Sequence, residues 1–377
     1  MSSQNWLAGI WIVAASALLV ACSSSPKHDN DSADAGSASS GGSTAAAEKY
    51  GLDLAWEREN FGGATIDQMF HDADLIYTVT SDNAIHAIGA NGVHRWISYD
   101  MDSRVTAPPA ANSWAVAFLA GSDVYVFDRA AGNLLMKRRL PFPPSSVPAI
   151  SESTLFVPTF VDNRVNTVDL ETGRLGWSYR TAEGVTAAPV VMGDDARQHV
   201  YLAGLDGEVT ALAAVDATGF APSGATWRTR ANDTNTADLS TDGQHLYCAS
   251  QDTKLYAFDP ITGDIRWTFP AGARLEAAPV AVGDAVYLFV EGSLHAVDSQ
   301  TGEHRWEFEH PVDPSSGFVA GAGDRLYVRD ADGLHLVNAG TGSIERTFGV
   351  DSASAMPFGA GEILVVPQGG RLVAYRL

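Results

Sequence analysis

A phrase of about nine residues recurs roughly every forty residues, and it constrains the fold more than any other feature of the chain. Its clearest copies are Asp169–Trp177 (DLETGRLGW), Asp259–Trp267 (DPITGDIRW) and Asp298–Trp306 (DSQTGEHRW). Each copy follows a short alternating segment, such as the Leu-Tyr-Ala-Phe stretch that ends at Phe258. Short strands at this period indicate one supersecondary unit repeated along the chain.

Each unit is predicted to contain four antiparallel strands, A to D. Strand A carries Ala-Pro or a related pair in five units, and strand B is apolar around an aromatic residue. Strand C precedes the repeated phrase, whose Asp can accept bonds from backbone amides ahead of it and whose Gly can adopt a left-handed conformation. Strand D then ends near the Trp. Eight segments fit strand C: 85–88, 124–127, 165–168, 209–212, 255–258, 294–297, 334–337 and 372–375.

The two ends of the repeat region are expected to complete each other. The sequence stops at Leu377, directly after the eighth strand C, whereas Asp53–Arg58 resembles a strand D with no strand C before it. Pairing the first strand with the C-terminal sheet would leave no unpaired sheet edges at the ends of the repeat. We therefore predict an all-β, eight-bladed β-propeller closed in this way. A seven-bladed arrangement stays open as an alternative, because blades 2 and 7 match the repeat poorly.

Tryptophan occupies the same place in six of the eight units, and Met136 and Arg346 replace it in the other two. A ligand site needs one copy of its residues, whereas packing between neighbouring blades needs a copy in each. These tryptophans are therefore predicted to be structural. They are Trp56, Trp96, Trp177, Trp227, Trp267 and Trp306.

The N-terminal region has the features of a targeting segment. An apolar stretch over 7–20 is too short to span a bilayer as a helix and leads into Leu19-Val20-Ala21-Cys22, which resembles a bacterial lipobox. We predict a lipoprotein signal peptide over 1–21 and a lipidated Cys22. Residues 22–48, rich in Ser, Ala, Gly and Asp, are predicted to be a disordered tether, and 49–377 the propeller.

Charge and cysteine content exclude several classes of function. The net charge is −21, and no basic patch of the kind that binds nucleic acid is visible. Cys22 and Cys248 are the two cysteines. With Cys22 acylated, no intrachain disulfide is expected, and Cys248 in its strand pattern is predicted to be a buried structural thiol.

The repeat Leu-Tyr-Ala-x-Asp-x-x-Thr-Gly-x-x-x-Trp resembles that of pyrroloquinoline-quinone-type propellers, and the resemblance covers essentially all of 49–377. One group with this repeat, the quinone-dependent dehydrogenases, holds its cofactor over a vicinal Cys-Cys disulfide and builds its pocket from long insertions. This chain has no Cys-Cys pair, and eight blades of roughly 40 residues account for its repeat region. We therefore expect no enzyme activity and no cofactor.

Other catalytic and metal sites are not apparent in the sequence. The segment from Asp330 to Gly333 resembles part of a calcium loop but falls where other units have a hairpin turn, and the distal Glu is absent. His86, His295 and His335 lie in strand C of blades 1, 6 and 7, and no pair shows metal-ligand spacing on one element. No metal site is expected.

The other group with this repeat, the BamB family of outer-membrane assembly lipoproteins, is similar in its lipobox, its tether and its eight short blades. The resemblance implies a non-catalytic scaffold, anchored by lipid to the periplasmic side of the outer membrane. Such a scaffold binds the central barrel-assembly subunit, precursor polypeptides or both. In that family a Leu-x-Leu-Arg segment contacts the partner, and the equivalent place here, 181–186, lacks it. Arg180, Glu183 and Val185 are the candidate partner-binding residues.

Two alternatives belong to other functional classes. One is a generic propeller, facing the periplasm or the cell surface, that binds another protein or a carbohydrate. An exposed aromatic cluster would indicate a carbohydrate site, and Trp114 is the one tryptophan of the propeller outside the strand D positions. The other alternative is a relative of the quinone-dependent dehydrogenases.

Overall fold

The computed structural model describes residues 53–376 apart from positions 60, 73, 160, 194–197, 215–223, 236, 309–318, 323–324, 331–332, 349–355, 359–362 and 369. The predicted signal peptide, Cys22 and tether lie outside the described residues and stay predictions. Within the described ranges, no helix has the length and apolar character needed to cross a membrane.

The described residues form eight four-stranded antiparallel sheets, numbered here as blades 1 to 8. The chain divides into two compact units, one built on 141–314 with blades 3 to 6 and the other containing blades 1, 2, 7 and 8. The strands of the first unit are β10 (Ala149–Ile150), β11 (Thr154–Thr159), β12 (Arg164–Asp169) and β13 (Leu175–Arg180) in blade 3; β14 (Val190–Met192), β15 (His199–Ala203), β16 (Glu208–Ala213) and β17 (Trp227–Arg230) in blade 4; β18 (Ser240–Thr241), β19 (Leu246–Ala249), β20 (Lys254–Phe258) and β21 (Ile265–Pro270) in blade 5; and β22 (Val280–Val282), β23 (Ala285–Val290), β24 (Ser293–Asp298) and β25 (His304–Phe308) in blade 6.

The second unit contains the remaining four blades. Its strands are β2 (Ile66–His71), β3 (Leu75–Thr80), β4 (Ile85–Gly89) and β5 (His94–Ser98) in blade 1; β6 (Ala110–Ala111), β7 (Ala115–Ala120), β8 (Asp123–Asp128) and β9 (Leu134–Arg139) in blade 2; β26 (Val319–Ala322), β27 (Arg325–Asp330), β28 (Gly333–Asn338) and β29 (Ile344–Phe348) in blade 7; and β30 (Met356–Phe358), β31 (Ile363–Gln368), β32 (Arg371–Arg376) and β1 (Asp53–Arg58) in blade 8.

Blade 8 joins the two ends of the described chain. Its strand order is β1-β32-β31-β30, and Trp56 lies opposite Ala374 in the antiparallel pair of β1 and β32. The carboxylate of Glu57 and the guanidinium of Arg371 lie 2.9 Å apart across the same pair. The predicted eight-bladed propeller with an N-terminal strand in its C-terminal blade is therefore confirmed, and the seven-bladed alternative is wrong.

All eight predicted strand C segments are strands. Their alternating pattern is encoded locally, and so is the turn that follows in the blades with the repeated phrase. In blade 5 the carboxylate of Asp259 accepts bonds from the backbone N–H groups of Ile261 (2.8 Å) and Thr262 (2.9 Å), and Gly263 has a φ of 78°. A left-handed φ of this kind favours glycine. The repeated phrase therefore forms the turn between strands C and D.

The predicted bounds of strands A and D need correction. Proline mostly precedes strand A, as Pro148 precedes β10 and Pro279 precedes β22. Proline has no N–H to donate, so the ladder begins after it. Strand D does not end near its Trp. In β21, Trp267 is the third of six residues, and the strand pairs with β20 as far as Pro270.

Both faces of the blades are buried, as blade 5 shows. Tyr247, Ala257 and Trp267 belong to a core shared with blade 6, whereas the alternate residues Cys248 and Tyr256 belong to a core shared with blade 4. Alternate side chains of a strand point to opposite faces, so the inner strands must be apolar on both. Burial raises the pKa of the Cys248 thiol to about 12, which leaves it protonated and unreactive at neutral pH.

The tryptophans of strand D contact the C–D turn of the following blade. The indole N–H of Trp267 donates to the carbonyl of Ser299 at 3.0 Å, and a Cβ at Gly302 would lie 2.6 Å from its ring. Trp56 makes the same two contacts with the carbonyl of Ala90, at 2.7 Å, and with Gly92. Equivalent pairs of Trp and Gly are Trp96 with Gly132 and Trp227 with Gly263.

The residue opposite each indole compensates for its volume. In five blades the indole lies opposite an alanine of strand C or of β32: Trp56 with Ala374, Trp96 with Ala87, Trp227 with Ala211, Trp267 with Ala257 and Trp306 with Ala296. Where Trp is replaced, the opposite residue is larger, with Val126 opposite Met136 and Leu336 opposite Arg346. In a close-packed interior, a larger side chain on one strand requires a smaller one opposite it. In blade 3, the hydroxyl of Thr167 donates to the carbonyl of Trp177.

These contacts support the predicted structural role of the tryptophans, which a pair of glycine variants tests. Gly302→Ala and Gly272→Ala both place a Cβ at positive φ, 74° and 84°, but only the Cβ at position 302 meets an indole. We expect Gly302→Ala to lower the free energy of unfolding by about 1–3 kcal/mol more than Gly272→Ala does. Chemical denaturation monitored by circular dichroism measures the difference. Equal losses in the two variants would show that the contact with Trp267 does not limit packing.

A pair of histidines is enclosed in blade 1. The rings of His86 in β4 and His94 in β5 lie 5.3 Å apart, and Phe61 packs edge-on against both. His86 is 2% exposed, and neither of its ring nitrogens has a hydrogen-bond partner among the described residues. Burial and the neighbouring His94 lower the pKa of His86 to about 4, so the ring is neutral in the folded protein at neutral pH.

This lowered pKa predicts a loss of stability in acid. His86 binds a proton more readily in the unfolded chain, so its contribution is present above pH 6.5 and is lost as the pH falls towards 4. His86→Val, which copies Val373 at the equivalent position of blade 8, removes this titration. As the pH is lowered from 6.5 to 4, the free energy of unfolding of the variant minus that of the wild type should therefore increase by roughly 3 kcal/mol. Urea denaturation of both proteins at each pH measures this difference. If it stays constant across the range, His86 does not have a lowered pKa in the folded protein.

Candidate partner-binding surface

The segments that connect strand D of one blade to strand A of the next, here called joins, form an ordered surface in blades 3 to 6. The first residue of each join donates its N–H to the B–C turn of its own blade. Thr181 donates to Asn163, Ala231 to Gly207 and Ala271 to Thr253, each at 2.9 Å. The start of each join is therefore fixed by backbone hydrogen bonds rather than by side chains.

The joins before and after blade 4 also contact the B–C turn of the following blade. The N–H of Leu205 donates to Gly184 at 2.9 Å, and the N–H of Gln251 donates to Thr234 at 3.1 Å. Val185 forms an isolated bridge with Gly204 in the same region. Because these two joins are held on both sides, they present a preorganised surface, which lowers the entropic cost of binding a partner.

The three residues predicted to bind a partner lie in the first of these joins, but they differ in accessibility. Arg180 at the end of β13 and Glu183 in the join are exposed. Val185 is fully buried in a core that it shares with Phe156 and Val200. Its bridge to Gly204 turns the side chain inward, so Val185 is not available to a partner, and the candidate surface narrows to Arg180 and Glu183.

Arg180 is accompanied by a second arginine, Arg164, which no repeat motif singles out. Arg164 of β12 is the register partner of Arg180, and its guanidinium donates to the hydroxyl of Ser178 at 2.7 Å. Neither arginine forms an ion pair with an acidic side chain within the described ranges. In blade 4, by contrast, Arg230 at the equivalent end of its strand contacts the carboxylate of Asp206 at 2.7 Å. Two like charges on opposing strands repel each other, and an anion placed between them would relieve this repulsion.

Several buried polar groups lie where the joins before and after blade 4 meet. The carboxylate of Asp238 accepts a hydrogen bond from the N–H of Ala188 at 2.6 Å, and burial raises the pKa of Asp238. The side-chain oxygen and nitrogen of Asn235, the hydroxyl of Thr186 and that of Ser240 are buried with no hydrogen-bond partner among the described residues. Asn235 is fully buried, at the place where the neighbouring joins have Val185 and Leu275. Aligning the joins could have revealed this polar residue at an apolar position.

Groups suited to catalysis or metal binding are not concentrated at this surface. Across the part of the chain that the structure describes, no group of three or more His, Cys, Asp or Glu side chains is arranged to hold a metal ion. Trp114, the one propeller tryptophan outside the strand D positions, is half-buried, and its backbone N–H donates to the side-chain oxygen of Asn112 at 3.0 Å.

Comparison with known proteins identifies the family. A family model described as outer membrane protein assembly factor BamB matches four overlapping stretches, 83–219, 120–247, 212–292 and 290–376. The chain belongs to this family. The resemblance to the BamB family that the repeat indicates is therefore confirmed.

Individual relatives of the BamB family agree in fold and differ widely in sequence. Outer membrane protein assembly factor BamB of Bordetella pertussis is 27% identical over 218 residues, which are 54% of this chain and 52% of that protein. The match thus spans about half the length of this relative. The crystal structure of BamB from Moraxella catarrhalis is similar with a TM-score of 0.65 and 20% identity, covering 86% of this chain and 98% of that one.

The fold alone does not carry the function. The computationally designed Ika8 protein is similar with a TM-score of 0.62 and 16% identity, covering 86% of this chain and all of the designed one. A designed protein and a BamB protein therefore match this chain almost equally well in backbone geometry. Functional argument must rest on family membership and on particular side chains.

The unpaired amide of Asn235 predicts a stabilising substitution. Asn235→Leu replaces buried polar atoms that lack partners with the residue found at position 275 of the next join, and we expect it to raise the free energy of unfolding by about 1–3 kcal/mol. The reciprocal variant Leu275→Asn should lower it by a similar amount. Urea denaturation of both variants measures these effects. A destabilised Asn235→Leu would show that the amide is satisfied in solution.

Proposed function

We propose that this protein is a non-catalytic, lipid-anchored scaffold of the outer-membrane β-barrel assembly machinery. In this role it binds the central barrel-assembly subunit, precursor polypeptides or both. Membership of the BamB family is the observation that carries the proposal. The predicted lipobox at Cys22 and the tether over 22–48 are consistent with attachment to the periplasmic side of the outer membrane.

The surface proposed to bind the partner is the exposed edge of blade 3 and its join, with Arg180, Glu183 and Arg164. Support comes from the backbone bonds that fix this join and from the two arginines, which form no ion pair among the described residues of a chain with net charge −21. Arginines of this kind are frequent in the energetically important parts of protein interfaces. Their guanidinium groups suit bidentate contacts with carboxylates of a partner.

The thiol and the C–D turn carboxylates that the structure describes serve packing and turns. Catalysis needs a nucleophile or base, an orienting partner and a pocket in one place. The one thiol that the structure describes, Cys248, is buried and protonated. The carboxylates of the C–D turns, such as Asp259 and Asp298, accept backbone hydrogen bonds and pair with Arg266 and Arg305.

Capture of partners from membranes tests the proposal. The full-length protein, purified with its bound proteins after mild detergent extraction, should retain the central barrel-assembly subunit. Arg180→Ala should reduce this recovery about tenfold or more, because an interface arginine of this kind is worth about 2 kcal/mol. Arg230→Ala is the matched control, since its guanidinium is already paired with Asp206 and its loss should leave recovery unchanged.

Two results would contradict the proposal in different ways. Wild-type protein that recovers other proteins but not the central subunit would leave a generic binding propeller as the function. Recovery that is normal in both variants would keep the assembly role but remove blade 3 as the contact. Circular dichroism of each variant establishes that it is folded.

A further inference from the structure

Two histidines of blade 6 are close enough to act together. Nδ1 of His295 in β24 and Nε2 of His304 in β25 lie 3.2 Å apart, with the ring centroids separated by 5.3 Å. Two imidazole nitrogens that bind one tetrahedral zinc ion, each at 2.0–2.1 Å, are separated by about 3.4 Å. The observed separation is thus already that of two ligands of a single ion.

The neighbours of this pair favour a cation. The carboxylate of Glu307 lies 3.8 Å from Nε2 of His295, the ring nitrogen that faces away from His304. This distance is too long for a hydrogen bond, but it places the carboxylate beside the far nitrogen, where a hydrogen-bonded carboxylate fixes the tautomer and the orientation of a metal-binding histidine. Phe269 stacks on His304 at 5.8 Å with an angle of 11° between the planes, which fixes the second ring.

The pair is also accessible to solvent. His304 is exposed, and the side chain of His295 retains 15% of its exposure, so an ion and its water ligands can reach the two nitrogens.

Blade 1 contains a histidine pair at the same two repeat positions, and its surroundings are opposite in character. His86 and His94 have the same centroid separation of 5.3 Å. At the repeat position of Glu307, however, blade 1 has Ile97, and at the position of Phe269 the preceding blade has Arg58. The charge of Arg58 acts on His94. A guanidinium repels a metal ion, and His86 is almost completely buried. The two pairs therefore share a geometry and differ in the charges around them.

We propose that His295 and His304 form a binding site for a divalent transition-metal ion, with Glu307 as the positioning residue. Zinc and copper are the class expected, because imidazole suits both. Without metal, one N–H proton lies between the two rings. On binding, that proton moves within its own ring to the nitrogen that faces away from the ion, so that each ring remains neutral and no proton is released. Water would complete the coordination, since the described residues supply two ligands. This site does not depend on the proposed assembly function.

Titration of the untagged full-length protein with ZnCl₂, followed by isothermal titration calorimetry, tests the site. We expect one ion per chain, with His304→Gln and His295→Gln each weakening binding at least tenfold. Glu307→Gln should weaken it roughly tenfold, as is usual when the orienting group of a metal ligand is lost. The matched control is His94→Gln in blade 1, which should bind as the wild type does.

Electron paramagnetic resonance of the Cu²⁺-loaded protein provides a second measurement. Hyperfine coupling to two imidazole nitrogens should be present in the wild type and in His94→Gln, and reduced to one nitrogen or lost in His304→Gln. His304 is exposed, so this variant should fold, and circular dichroism checks that it does. The proposal is overturned if wild-type protein gives no binding heat. It is equally overturned if His304→Gln binds as tightly as the wild type, or if His94→Gln loses as much affinity as His304→Gln.

Discussion

The contact of a tryptophan with a glycine of the next blade is the interaction on which the rest of the repeat depends. Trp267 leaves no space for a Cβ at Gly302, and the turn at Gly302 also needs a positive φ that other residues rarely adopt. One glycine therefore satisfies a local backbone requirement and a packing requirement of the neighbouring blade. The alanine opposite each indole, such as Ala257 opposite Trp267, is the third part of the same arrangement.

The features that could be predicted from the sequence are those fixed by neighbouring residues. Strand C was predictable from its own alternating pattern and, in blades 3, 5 and 6, from the Asp-x-x-Thr-Gly turn after it, which closes through bonds within a few residues, as between Asp259 and Thr262. The ends of strands A and D depend instead on how far a partner strand extends, which no local pattern records. Val185 shows the same limit at a single position, because its pairing with Gly204 of the next blade decides that it points inward.

Departures from the repeat identify the candidate surface better than the repeat itself does. Position 235 needs an apolar side chain, as Val185 and Leu275 show, and yet it holds an asparagine without partners among the described residues. Among the described residues, Arg180 likewise lacks the acidic partner that Arg230 has one blade later. Arg180 is exposed and can contact a partner, whereas Asn235 is fully buried and cannot. Arg180 at the end of β13 and Asn235 in the join after blade 4 lie in the same compact unit.

The histidine pairs of blades 1 and 6 show how one repeated backbone can support different chemistry. Both pairs occupy the same positions of strands C and D, so the fold gives them the same separation of 5.3 Å between rings. The neighbours then differ. Around His86 the surroundings exclude water and include a positive charge, which makes the pair sensitive to acid. Around His295 a carboxylate and a stacked ring replace them, and the same spacing becomes suitable for a metal ion. Function in a repeat protein is thus decided by the few side chains that differ between equivalent sites.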